Sequence, residues 1–440
     1  MDETLFLLSG EERKEAARSR RLQTTPAVVS RGLQFTFAAL VLICSYIILV
    51  CSCLSFSFFP QVSAHRKGSS ADTEVGVYAG GNQLAVCIAS FISGAYMNKI
   101  GVKFLLVSGS FLVAGSSVIF GFVDDISSWK PFIGLSTVIY FVMGLGQGAF
   151  LTTCTTVFVR MFPTRIATAW SVISLTLGLG FLTSSPLGGL LYDSEGFAFP
   201  YVVFGSILFL LIPFFVIFPS DTYVESELSD AVNQTPIWLL LKMMPVLVVC
   251  VNTFVAYASV PLIQVSLSQF LYNTFHWRAS QIGLVFLVFG IAFVGSSIVI
   301  GVVIDATNPR AVMIIGLLIG GCGMMLVGPS FVFSFSLQSW LVYFSMVLIG
   351  LGTCMVLLAV PIDMTATAVS RGHEENISLI AAVTGLWNAA TYFSGTVAGP
   401  VGGALTASFG FRYSTSFFAF AIFCAFIMTI VSTVVKLYHS

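Results

Sequence analysis

Asp363 is the one clear case of an acidic side chain set inside an apolar run, two positions after Pro361 in the stretch Leu357-Leu358-Ala359-Val360-Pro361-Ile362-Asp363-Met364. An ionised carboxylate in hydrocarbon costs about 2.5–3.5 kcal/mol, so it persists chiefly where it binds a cation, takes up a proton or meets a partner charge. Asp363 is therefore the first candidate for a cation or proton site. A gate residue near the end of its helix is the competing reading. The other candidates are aromatic or neutral. Tyr257, Pro261, Gln264 and Ser268 share one helical face by their spacing; so do Trp387, Asn388, Thr391 and Tyr392, and likewise Tyr140, Gly144 and Gln147. Such faces grip an organic molecule by hydrogen bonds, and a cation by ring contacts of about 0.5–2 kcal/mol each. Plain helix packing uses the same stripes.

The elements that hold these residues follow from composition. Of 440 residues, 57 % are hydrophobic and 9 % charged, whereas soluble domains carry roughly 25 % charge. That excludes a soluble globule. Net charge is zero, and no long block of one sign suggests a nucleic-acid surface. All nine cysteines, including Cys51 and Cys53, fall inside apolar runs, where neither a disulfide framework nor a metal site is built. No metal, cofactor or enzymatic centre is expected.

Apolar stretches long enough to cross ~30 Å of hydrocarbon lie at about 33–59, 75–98, 102–123, 131–159, 166–191 and 200–219, and again at about 240–271, 281–304, 310–334, 339–369, 376–408 and 412–436. Each must be helical, because a strand edge or coil in lipid leaves backbone groups unpaired. The expected organisation is a tail (1–32), a six-helix bundle (33–219), a polar linker (220–239), a second bundle (240–436) and a short tail (437–440). With the N-terminus in the cytosol, 14 of the 19 lysines and arginines fall inside and 5 outside, so the positive-inside bias predicts both termini cytosolic.

The two halves repeat in parallel. Gly76, Gly94, Lys103 and Gly109 fall on Gly283, Gly301, Arg310 and Gly316 when one half slides over the other by 207 positions. A second register lays Pro186, Gly188 and Gly189 over Pro400, Gly402 and Gly403. Parallel halves related by an axis along the membrane normal bind solute near the midplane between them. The segment Gly94-Ala-Tyr-Met-Asn98-Lys99-Ile-Gly101-Val-Lys103 resembles the Gly-x-x-x-Asp-Arg-x-Gly-Arg-Lys loop of the major facilitator superfamily, and Gly301-Val-Val-Ile-Asp305-Ala-Thr-Asn-Pro-Arg310 is its echo. The resemblance implies an all-α membrane fold of twelve helices in two six-helix repeats. It makes Gly94, Asn98, Lys99, Gly101, Lys103, Gly301, Asp305 and Arg310 a cytosolic gate. Asn98 stands where the family carries an acid, which shifts the charge latch towards Asp305 and Arg310. Gly180-Phe-Leu-Thr-Ser184-Ser185-Pro186-Leu-Gly188-Gly189 and Ser394-Gly-Thr-Val-Ala398-Gly399-Pro400-Val-Gly402-Gly403 are similar to the proline-glycine helix of the superfamily's exchangers, where a kinked, small-residue helix serves as a pivot.

Within the superfamily, Phe58-Phe59-Pro60, Phe120-Gly121-x-x-Asp124, Phe162-Pro163-x-x-x-Ala167-Thr168, Gly188-Gly189-x-Leu191-Tyr192, Gly283-Leu-Val-Phe-Leu and Leu326-x-Gly328-Pro329 resemble the vesicular amine transporters, most closely their polyamine branch. That resemblance implies transport of a cationic amine or polyamine into vesicles in exchange for protons, in a vesicular or endolysosomal membrane. It also implies an acidic residue at Asp363. The residues depart from it elsewhere: Val86, Met143 and Val260 stand where that branch has acids, and Tyr140 where the superfamily's proton-coupling motif has arginine. A uniporter of a neutral or aromatic solute, or a receptor that keeps the fold, are the alternatives. Glu3 with Leu7 and Leu8 matches an acidic-dileucine signal for a clathrin adaptor, and a monomer is the expected state.

Overall fold

The structure is a computed structural model that describes residues 31–54, 59, 62, 66, 72–162, 166–217, 237–276, 279–328, 338–373 and 377–438. The adaptor signal at Glu3, Leu7 and Leu8 and most of the 220–239 linker lie outside them. Among the described residues the chain forms twelve long helices: α1 (Arg31–Cys53), α2 (Asp72–Ile100), α3 (Val102–Gly121), α4 (Trp129–Met161), α5 (Ile166–Glu195), α6 (Ala198–Ile217), α7 (Met244–Phe275), α8 (Ala279–Ala306), α9 (Pro309–Val327), α10 (Ser339–Val369), α11 (Ile377–Phe409) and α12 (Phe411–Tyr438). A one-turn helix, Ile237–Leu241, precedes α7.

Ten of the twelve are long and apolar enough to cross a membrane. The two that are less apolar are α2 and α11. These two pack along each other where the halves meet, so they face protein and can carry Gly80, Gly81, Asn82 and Gln83, or Thr384, Asn388 and Thr391, in place of lipid-facing apolar residues.

The repeat is visible in the packing. In the first half α2 packs on α4, α3 on α4 and α6, and α1 on α5; in the second, α8 packs on α10, α9 on α10 and α12, and α7 on α11. The halves join through α2 with α11 and, symmetrically, α8 with α5. Glycines set the closest approaches inside each half, as small residues do where lipid offers helices no hydrophobic driving force to associate. A Cβ on Gly146 of α4 would stand 2.7 Å from the Gly109 carbonyl of α3, and one on Gly352 of α10 would stand 2.5 Å from the Gly320 amide of α9. Both neighbours are backbone and cannot move aside. Gly352→Ala is accordingly expected to cost about 1–3 kcal/mol through overpacking, read as a lower apparent melting temperature in detergent.

The ends of the helices differ in charge. Lys99, Lys103, Arg160 and Arg310 gather where α2 gives way to α3, α4 ends and α9 begins, which we call the basic end. At the opposite end Arg66 joins Asp124 at 2.6 Å and lies over the Phe132 ring at 4.3 Å. That contact ties the segment between α1 and α2 to the turn before α4.

Candidate functional site

Five helices bring neutral polar and aromatic side chains together between the halves. Gln147 of α4 lies beside the Tyr392 phenol of α11, which also neighbours Tyr257 of α7, Cys53 of α1 and Cys154 of α4. One turn away on α11, the Asn388 amide donates to Thr152 Oγ1 of α4 at 3.2 Å, a bond that crosses from one half to the other. Trp387 meets Trp170 of α5 edge to face, with centroids 5.1 Å apart. The helical faces read from sequence thus meet between the halves: Gln147 and Tyr257 gather around Tyr392, with Asn388 and Trp387 about one turn along α11, so the cluster spans two turns of that helix. The side chain of Gln264 lies outside the described residues.

Two of the cluster's polar atoms are left over. Gln147 is 3 % exposed and Trp387 6 %, yet Gln147 Oε1 and Trp387 Nε1 have no hydrogen-bond partner. A buried polar group without a partner costs about 1–3 kcal/mol. One is an acceptor and the other a donor.

Tyr140 does not join this cluster, contrary to expectation. It lies inside the first bundle, where Phe132, Phe59, Tyr78 and Tyr140 stack in succession with centroids 5.7, 4.3 and 4.2 Å apart. Its hydroxyl donates to the Ser52 carbonyl and its own carbonyl accepts from Asn82. Helical spacing places Tyr140 near the Gln147 face, but the stack with α2 turns it inward.

Asp363, the candidate cation or proton site, forms one half of an ion pair. Arg310 Nε donates to Asp363 Oδ1 at 2.8 Å, and both side chains are 7 % exposed. The pair joins the start of α9 to the last turns of α10, at the basic end. Local sequence sets Arg310 there: Asn308 caps α9 by accepting from the Arg310 amide, and Pro309 takes the first turn, where no N–H is missed. Arg310 Nη2 and Asp363 Oδ2 have no partner. The first half has no such pair to make, since the matching stretch of α4 carries Thr156 and Val157.

At the same end the halves close on each other twice. Gly94 of α2 faces Gly385 of α11 so closely that a Cβ on either would stand 2.6 Å from the other's Cα. Across the pseudo-axis, a Cβ on Gly301 of α8 would stand 1.8 Å from Ser171 Oγ of α5. Asp305, one turn on from Gly301, caps α5 from the other half. Its carboxylate accepts from the Ala167 and Thr168 amides at 3.1 Å each and from Thr168 Oγ1 at 2.5 Å. A helix start presents unpaired amides and the positive end of its dipole, so a carboxylate suits it. Asn98, the neutral counterpart of Asp305, keeps Oδ1 buried without a partner. Lys99 is exposed, 5.7 Å from the Tyr96 ring; Gly101 turns the chain at φ 92°; Lys103 is half-buried.

Pro186 and Pro400 lie inside α5 and α11, each of which packs both on its own half and on the other. Gly402 sits against Leu262 of α7, while Gly188 is buried and Gly403 half-buried; Gly189 lies outside the residues whose surroundings are described. Sequence reasoning missed Gly385, Ser171, Trp170 and Thr152. Gly385 had one available signal, a glycine well inside a helix; the others are ordinary in type and gain their roles by position.

The chain matches the Major Facilitator Superfamily model twice, over residues 42–263 and 249–438. Rat MFS-type transporter SLC18B1 is 30 % identical over 363 residues, 82 % of this chain and 78 % of that one; the human protein of that name is 27 % identical over 371 residues. The human synaptic vesicular amine transporter is 21 % identical over 264 residues, covering 58 % of this chain and 48 % of that one. Human organic anion transporter MFSD10 (TETRAN) shares the fold, with a TM-score of 0.68 at 13 % identity over 89 % of this chain and 99 % of its own. With both halves matched and a relative at this identity across most of its length, the chain is a membrane transporter of the major facilitator superfamily, related to SLC18B1 and the vesicular amine transporters.

Proposed function

We propose that this transporter carries a small organic solute by alternating access, with Gln147, Tyr257, Trp387, Asn388 and Tyr392 holding the solute. The gate lies at the basic end, and α5 and α11 serve as pivots around Pro186, Gly188, Gly189, Pro400, Gly402 and Gly403. The observation that carries this reading is the contrast between two levels of one interface. At the basic end the halves meet backbone to backbone with the amides of α5 capped from the other half, whereas deeper in they meet through side chains, two of whose buried polar atoms, Gln147 Oε1 and Trp387 Nε1, stand unpaired. A solute that completes them is bound while the basic end is shut. The charge bias puts that end, and both termini, in the cytosol, and the relatives' names support a vesicular or endolysosomal membrane.

A second reading, amine transport in exchange for protons, is favoured by relatives named as amine transporters. Reconstituted protein distinguishes the two. A pH gradient across proteoliposomes should drive accumulation of labelled tryptamine or spermine if exchange is the function, and leave it at equilibrium if it is not. No flux of any solute in a broad screen would sink the carrier reading itself.

The gate makes its own prediction. Asp305→Asn keeps an acceptor but loses the charge opposite the start of α5, and hydrogen bonds to charged groups are worth about 1.5–3 kcal/mol. The mutant should shift the balance away from the closed basic end by roughly tenfold or more, measured as faster alkylation of Cys154. Unchanged labelling would remove Asp305 from the gate.

A further inference from the structure

Resting on the proposal that the central cluster is the solute site, we infer that it takes its solute uncharged: an aromatic molecule carrying at least one N–H or O–H donor and one hydrogen-bond acceptor. Four observations lead there. The groups that converge between the halves are an amide pair, two phenols, two indoles, a hydroxyl and thiols, none ionised at neutral pH. The one clear intramembrane acid is already answered by Arg310 at 2.8 Å, between α9 and α10 rather than between the halves. The two leftover atoms are one acceptor, Gln147 Oε1, and one donor, Trp387 Nε1, both on side chains more than nine-tenths buried. The rings around them, Trp170, Trp387, Tyr257 and Tyr392, present flat apolar faces.

A cationic amine entering this cluster gives up its water and finds rings and dipoles but, among the described residues, no counter-charge. Cation–π contacts recover only part of that loss. A polyamine, with several charges close together, fares worst. A neutral aromatic loses little on leaving water, stacks on the rings, donates to Gln147 and accepts from Trp387. Specificity then comes from the two unpaired atoms, because a solute lacking either partner leaves one of them buried and unsatisfied.

Three probes separate the possibilities: indole-3-acetamide, which is neutral and carries both donor and acceptor; tryptamine, which keeps the indole but adds a positive charge; and spermine. The purified full chain in detergent is heated with each at millimolar concentration, since a ligand bound to the folded state raises its apparent melting temperature. Indole-3-acetamide should raise it by about 2 °C or more, tryptamine by less, and spermine not at all. Gln147→Leu and Trp387→Phe keep shape and ring packing while removing one polar partner each. Either should erase most of the shift, with the ligand-free melting temperature staying within a few degrees of wild type. Spermine or tryptamine stabilising more than indole-3-acetamide, with that effect lost in the same two variants, would overturn the neutral solute while keeping the site. An indole-3-acetamide shift that survives both variants would sink the site itself, and no shift with any probe would overturn the inference.

Discussion

Arg310→Met is expected to lower the stability of the folded transporter by about 3–5 kcal/mol, because it leaves the Asp363 carboxylate buried without its partner charge. Asp363→Leu alone should be comparably damaging, stranding the guanidinium. The double variant Arg310→Met/Asp363→Leu should recover most of the loss, since a buried pair replaced by apolar groups of similar volume is often neutral or better. Thermal unfolding of the four proteins completes a double-mutant cycle, and the 2.8 Å contact predicts a coupling energy well above the few tenths that separate independent sites. The cycle also decides what the carboxylate does. If Asp363 serves only to pair Arg310, the double variant should regain transport together with stability. Were it a proton carrier, the double variant would fold yet lose any response to a pH gradient. Additive losses across the cycle would show that the two side chains do not act as a pair.

Much of the architecture was legible before any coordinates, and the reason is physical. Lipid forces every backbone group into a helix, so apolar length alone marks the crossings, and duplication repeats glycines and cations in step. Gly109 with Gly316, and Lys103 with Arg310, occupy corresponding places in the two halves because the packing that needs them is itself repeated. The convergence of Gln147, Tyr257, Trp387, Asn388 and Tyr392 was legible only as separate faces. Helical spacing says which residues share a face but not which way it turns, and Tyr140 fell on the wrong side of that ambiguity. Asp363 illustrates a second limit. Its cost in hydrocarbon announces a partner without naming it, and Arg310, in the span that follows α8, becomes that partner only once α9 and α10 lie side by side. Gly385 shows a third, for a glycine in a helix is silent until the opposing surface is known to be the backbone of another half.

That glycine carries the largest functional effect we expect. Gly385→Leu should abolish transport while leaving each bundle folded, because the leucine must occupy space held by the Gly94 backbone, where a single Cβ already stands 2.6 Å from Cα and 2.8 Å from the Ser90 carbonyl. The clash lies between the halves and not within one, so parting at the basic end relieves it, the rigid-body step of the proposed alternating-access cycle. Full inversion from 99:1 closed to 99:1 open needs about 5.5 kcal/mol of bias; overpacking typically costs about 1–3 kcal/mol and occasionally more, and an isobutyl group forced against backbone lies at the upper end, enough to raise the open population by an order of magnitude or more. Native Cys154 reports the result. It is buried, bonded to Ser45 of α1 at 3.3 Å and beside Tyr392, on the basic-end side of Gln147 along α4, so parting the halves there exposes it to a water-soluble maleimide. Labelling mapped by mass spectrometry should rise by an order of magnitude or more in Gly385→Leu and in Gly94→Leu, with solute flux at background in both. Gly352→Ala, whose clash lies inside one bundle, should lower stability without raising Cys154 labelling. Silent Cys154 together with intact flux in the Gly385 variant would mean that this glycine pair is packing and not a gate.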